Sequence, residues 1–106
     1  MEFQLGSALL DACVLSLLHQ EDTYGYRLTQ QLKQTLNVSE STLYPVLRRL
    51  TKEGYLETYD RQYEGRNRRY YRLTQKGKEQ YEAYYQAWKL FEKNVNTIME
   101  GGKIHE

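Results

Sequence analysis

The 106-residue chain has one cysteine, one proline, one tryptophan and two phenylalanines. A lone Cys13 cannot close an internal disulfide, and its apolar neighbours mark it as a buried thiol. With so little proline and only seven glycines, a fibrous or disordered chain is excluded. Long apolar runs are also missing. The longest, from Ala8 to Leu18, is broken by Asp11 and Ser16 and is too short to span a bilayer. The opening Met1-Glu2-Phe3-Gln4 lacks the positive flank of a secretory signal. No membrane partner is therefore expected, and a cytoplasmic location is. His19 and His105 stand far apart, and there is no glycine-rich phosphate loop, no carboxylate pair and no metal-ligand spacing. The expectation is a protein that is not an enzyme and carries no cofactor and no metal.

Net charge is nearly absent too, at +1, but its distribution is uneven. Residues 1–39 hold two Lys/Arg against four Asp/Glu, and residues 79–106 hold three against five. Residues 40–78 hold ten against five. A positive middle third in an otherwise balanced chain is the footprint of a nucleic-acid site, although a solvated charged face would look the same.

The chain reads as one small domain with no repeat and no long linker. A first helix is expected over about residues 7–19. Its apolar residues run almost all the way round, so it must be covered on more than one side. Thr23 is expected to cap a second helix, residues 24–36, with Leu28, Leu32 and Leu36 on one face. Asn37 suits a left-handed turn. Ser39 caps a third helix that reaches about Glu53 and stops at Gly54. Residues 55–63 and 69–73 read as strands, with residues 64–68 as the hairpin tip. Thr74 caps a long last helix to about Met99, and residues 101–106 form a flexible tail. The expected fold is mainly α with a small β-hairpin: a winged helix-turn-helix over residues 1–74, then a C-terminal dimerisation helix over residues 75–100.

Leu43, Val46, Leu47 and Leu50 form the stripe that seats the third helix on the core. Ser41, Pro45, Arg48 and Lys52 lie opposite, flanked by Tyr44 and Arg49. Hydroxyls near the helix start can approach base edges, and the cations can meet guanine or phosphate. A proline inside a helix removes a hydrogen bond, a cost reduced by its outward, early position. At the hairpin, Arg66, Arg68 and Arg69 beside Asn67 suit phosphates and a narrow minor groove, and equally suit a charged edge that resists aggregation. Tyr24 and Ser39, which open the two helices, and Thr42 complete the expected double-stranded DNA site.

Four stretches then carry a resemblance. They are Tyr24-Gly25-Tyr26-Arg27-Leu28, the run Ser41 to Leu50, Glu53-Gly54-Tyr55-Leu56, and Arg68 to Thr74 with Lys76-Gly77. In this order and spacing they closely resemble the PadR family of bacterial transcriptional regulators, over residues 8 to about 90. The single last helix resembles the smaller subgroup. The resemblance implies a homodimer that represses promoters and leaves DNA on a cue, often a phenolic acid or a lipophilic drug. Asn67 departs from the small residue or proline of many members.

In the last helix Tyr81, Tyr84, Trp88, Phe91, Val95 and Ile98 follow a three-four spacing, just over two heptads. With Leu9 and Cys13 of the first helix they form the expected dimer interface. A two-fold dimer would present two third helices to a palindromic operator. Trp88 is either a dimer-core residue or the wall of an effector pocket. In the second reading Trp88, Tyr85 and Ala12 hold a small aromatic or cationic lipophilic ligand, with Glu92 and Asp11 as its anions. A winged helix used for protein–protein contact without DNA is the competing function. It would not need the Ser/Arg/Lys face.

Overall fold

The computed structural model describes residues 6–102. Its elements are α1 (Ser7–Gln20), β1 (Thr23–Tyr24), α2 (Gly25–Leu36), α3 (Glu40–Lys52), β2 (Leu56–Tyr63), β3 (Arg66–Leu73) and α4 (Gln75–Met99). The class matches the expectation: helices, a small antiparallel sheet and a long C-terminal helix. No helix among the described residues is long and apolar enough to cross a membrane.

One core gathers the apolar faces of all the short elements. Leu10, Val14, Leu15 and Leu18 of α1 meet Leu28 and Leu32 of α2, Leu43, Leu47 and Leu50 of α3, and Leu56 and Leu73 of the sheet. On α3 the buried residues fall at i, i+4 and i+7, which leaves the opposite face to water. Asn37 closes α2 in the left-handed conformation, with φ 55° and ψ 41°, and three residues separate α2 from α3.

The sheet differs from the expected hairpin in two ways. It has three strands in the order β1-β3-β2. Thr23 is not a helix cap. It is a buried strand residue paired with Tyr71, and Tyr24 takes the N-cap position without a side-chain bond. The hairpin is also tighter than expected. Tyr63 pairs with Arg66, so the tip is only Glu64 and Gly65, both at positive φ (50° and 76°), as a two-residue hairpin turn requires. Arg66, Asn67 and Arg68 therefore belong to the strand and not to the tip.

The junction of the two parts explains the Thr74–Gly77 motif. The Thr74 hydroxyl accepts from the Gly77 N–H at 3.0 Å and donates to the Gly54 carbonyl at 2.6 Å. Lys76 Nζ donates to the Glu53 carbonyl at 2.7 Å. One helix start thus satisfies the carbonyl end of another. Gly77 lies against the Tyr55 backbone, and a Cβ there would collide with the Tyr55 carbonyl oxygen. Gly77→Ala is expected to destabilise the fold by about 2–3 kcal/mol through forced separation of α4 from the sheet. A thermal melt equal to wild type would show that the junction yields.

Beyond this junction α4 leaves the body of the molecule. Tyr81 and Tyr84 pack on the core, and His19 stacks on Tyr81 with ring centroids 4.0 Å apart. Farther on, Leu90, Phe91, Ile98 and Met99 are 61–73% exposed. Gly101 turns the chain at φ 73° after the helix. Of the expected flexible tail, residues 103–106 lie outside the described residues.

Candidate nucleic-acid interface

The exposed face of α3 carries Ser41, Thr42, Pro45, Arg48 and Lys52, as the periodicity requires. Ser39 sits at the N-cap with extended backbone, but its hydroxyl accepts no backbone N–H. It bonds instead to the Ser41 and Thr42 hydroxyls, each at 3.0 Å. Three hydroxyls thus cluster at the positive end of the helix, where both anions and base edges can be met. Gln30 of α2 holds Glu40 at 3.2 Å.

A cleft of about 460 Å³ opens between the start of α2, the Tyr44 ring and the sheet. It brings together four of the expected residues, Tyr24, Tyr44, Asn67 and Arg68, with Tyr26, Arg69 and Tyr71. The Arg68 guanidinium is held over the Tyr24 ring at 4.3 Å and the Tyr63 ring at 4.0 Å. Stacking of this kind fixes a long side chain while leaving its N–H groups free to donate. Arg48, Lys52, Arg66 and Arg68 have no ion-pair partner among the described residues. Cations without a carboxylate partner are suited to phosphates. Tyr26, 61% exposed, was not in the expected set. Its signal was its place in the first turn of α2, beside a glycine.

Arg49 behaves differently. Its Nη2 donates to Asp11 Oδ1 at 2.6 Å, and Nη1 to Glu53 at 3.5 Å. These contacts hold its guanidinium pKa above the ordinary value, with the Asp11 hydrogen bond the leading cause. This pair joins two of the expected site residues. Arg49, its side chain 42% exposed, reaches Asp11 on α1. Asp11, its side chain only 10% exposed, is paired with that cation.

A second cavity, about 450 Å³, lies between α1 and α4. Ala12, Tyr85 and Trp88 line it, as do Leu9, Cys13, Tyr81 and Tyr84, with Ser16, Gln20 and Leu36 added. Neither Asp11 nor Glu92 is among the lining residues. Seven of the expected effector and interface residues thus line one cavity, whereas Phe91, Val95 and Ile98, like Asp11 and Glu92, do not. A smaller apolar cavity of about 200 Å³ adjoins it through Cys13, Ser16 and Leu36. Burial pushes the Cys13 thiol pKa up, so the thiol stays neutral and acts as an apolar surface.

With this geometry in view, the likeness to known proteins is informative. Residues 14–83 match the Transcriptional regulator PadR-like family. The chain belongs to this family. A Streptococcus mutans protein, smu.1704, superposes over 100% of both chains with 34% identity and a TM-score of 0.91. A PadR-like transcriptional regulator from Bacillus cereus, BC4206, is 36% identical, with 86% of this chain and 91% of that one covered and a TM-score of 0.81. Bacillus subtilis PadR in complex with operator DNA is 28% identical with a TM-score of 0.65. There the match covers 73% of this chain and 46% of that one. PadR-like proteins are transcriptional regulators and not enzymes, and the winged helix with its long last helix is their architecture.

Proposed function

We propose that this PadR-like protein is a sequence-specific DNA-binding regulator, a homodimer that represses promoters and is released by a small aromatic ligand. The observation that carries the DNA reading is the set of cations without an ion-pair partner among the described residues, Arg48 and Lys52 on the exposed face of α3 and Arg66 and Arg68 on β3, with Arg68 in the Tyr24–Tyr44 cleft and the Ser39–Ser41–Thr42 hydroxyls at the start of α3. α3 would lie in the major groove and β2–β3 along the flanking phosphates. Residues 1–74 would form the reading head and residues 75–100 the dimerisation helix. Bacillus subtilis PadR with its operator supports this reading. Binding to a chromosomal operator would place the protein in the cytoplasm. A protein-only winged helix would have no use for the unpaired cations.

A mobility-shift titration on the DNA upstream of the protein's own gene tests the proposal. Wild type should bind it far more tightly than a random duplex of equal length. Arg48→Ala with Arg66→Ala should weaken binding by about 10- to 100-fold and lower the salt slope by about two if each meets a phosphate. Equal affinity and slope in wild type and double mutant would point to the protein-only alternative.

A further inference from the structure

We propose that Arg49 does not touch DNA but positions the recognition helix, held in place by Asp11 of α1. The proposal rests on the DNA-binding reading above and deepens it. Arg48 and Arg49 are neighbours with identical charge, and on composition alone both count toward the basic face. The structure separates them. Arg48 is exposed and unpaired among the described residues, whereas Arg49 reaches across to a carboxylate 38 residues away. Asp11 is the only charged residue buried in α1. A buried carboxylate is stable only when its partner stays in place. The apolar contacts of Leu43, Leu47 and Leu50 set how deeply α3 sits but do little to stop it rolling, because dispersion contacts are not directional. A charge-assisted hydrogen bond of 2.6 Å is directional, and it fixes the roll.

The location of the pair adds a consequence. Asp11 stands between Leu9 and Ala12 on α1, and both of those line the 450 Å³ cavity. A ligand that shifts this turn of α1 would move the anchor of α3 directly. The same pair therefore links the α1 turn behind the cavity wall to the helix that reads DNA through one hydrogen bond.

The test uses the full-length dimer with two duplexes, the region upstream of its own gene and a random sequence. Variants are Asp11→Asn, Arg49→Gln and both together, each checked by thermal melt. Charge alone says that removing an acid tightens DNA binding. A positioning role says the reverse for the specific duplex. Asp11→Asn and Arg49→Gln should each weaken specific binding by about tenfold, comparable to one mismatched base pair, and the double variant should be no worse than either. Affinity for the random duplex and the salt slope should not change, a pattern that simple loss of stability would not produce. A slope lowered by about one unit in Arg49→Gln, with both duplexes weakened and Asp11→Asn neutral or tighter, would make Arg49 a phosphate contact and overturn the proposal. If Asp11→Asn does not fold, the slope and the specific-to-random ratio of Arg49→Gln decide alone. Wild type that binds neither duplex overturns the DNA reading itself. Wild type that binds while the variants keep full specificity overturns only the role of this pair.

Discussion

Phe91→Asp combined with Ile98→Asp is expected to convert the protein to monomers and to weaken operator binding by at least about 100-fold. Both side chains are more than 60% exposed in the single protomer, so the substitutions leave the core of each chain intact. Together with Trp88, Leu90 and Met99 they leave the far half of α4 with an apolar surface that water should not face in isolation. At about 1.5 Å per residue, the 25-residue helix is roughly 37 Å long, and only its first turns are seated on α1. In the proposed homodimer, a second copy of the chain would cover the remainder with matching apolar surface through a two-fold axis. Two heads joined this way bind the second half-site as an intramolecular event, and a monomer loses that advantage. Affinity for random DNA at low salt should fall much less, because it depends on phosphates under each head. Sedimentation and mobility shift check the two outcomes separately. A double variant that still sediments as a dimer would place the interface elsewhere. A monomer that keeps full operator affinity would show that dimerisation is not what makes binding tight.

The elements that local pattern controls were legible from the residues. The α3 stripe, the Asn37 turn and the Thr74 cap each depend on neighbours a few positions away, and periodicity or capping chemistry reports them. What was not legible depends on distant partners. β1 is two residues long and exists because Tyr70 and Tyr71 lie beside it, so no local alternation marks it. Arg66 to Arg68 looked like a polar tip. They extend the strand because Arg68 is stacked between Tyr24 and Tyr63. A similar pattern runs along that face, where Tyr59 stacks on Tyr70 at 5.4 Å and donates to Asp22 at 2.8 Å. The partner of Asp11 was hidden for the same reason. An acid in an apolar helix invites a ligand, and only the fold brings Arg49 to it.

The cavity between α1 and α4 leads to the second large effect. Planar aromatic compounds are expected to quench Trp88 fluorescence at micromolar concentrations, about −8 kcal/mol of binding. Trp88→Ala should lose at least about 100-fold of that affinity while remaining a dimer that binds DNA, since a stacked indole is the main contact area on offer. Three observations support the expectation. Trp88 is the only tryptophan and is 39% exposed in the protomer. It shares its cavity with Tyr81, Tyr84 and Tyr85. Tyr85 in turn stacks with Tyr81 at 6.0 Å. Few polar groups face the space, so recognition should follow shape and aromatic area more than a hydrogen-bond pattern. Asp11 is bound to Arg49 and neither it nor Glu92 lines the cavity, so no carboxylate there favours cations. Acridine-type cations and neutral aromatics of equal area should therefore bind with similar affinity. Release of DNA requires that the ligand bind one arrangement of the two subunits better than the other. Its affinity should then be lower when operator DNA is present, by the same factor by which it weakens DNA binding. If acridine cations and phenolic acids alike leave the fluorescence unchanged, or if Trp88→Ala unfolds the chain, Trp88 belongs to the dimer core and the regulatory signal enters elsewhere.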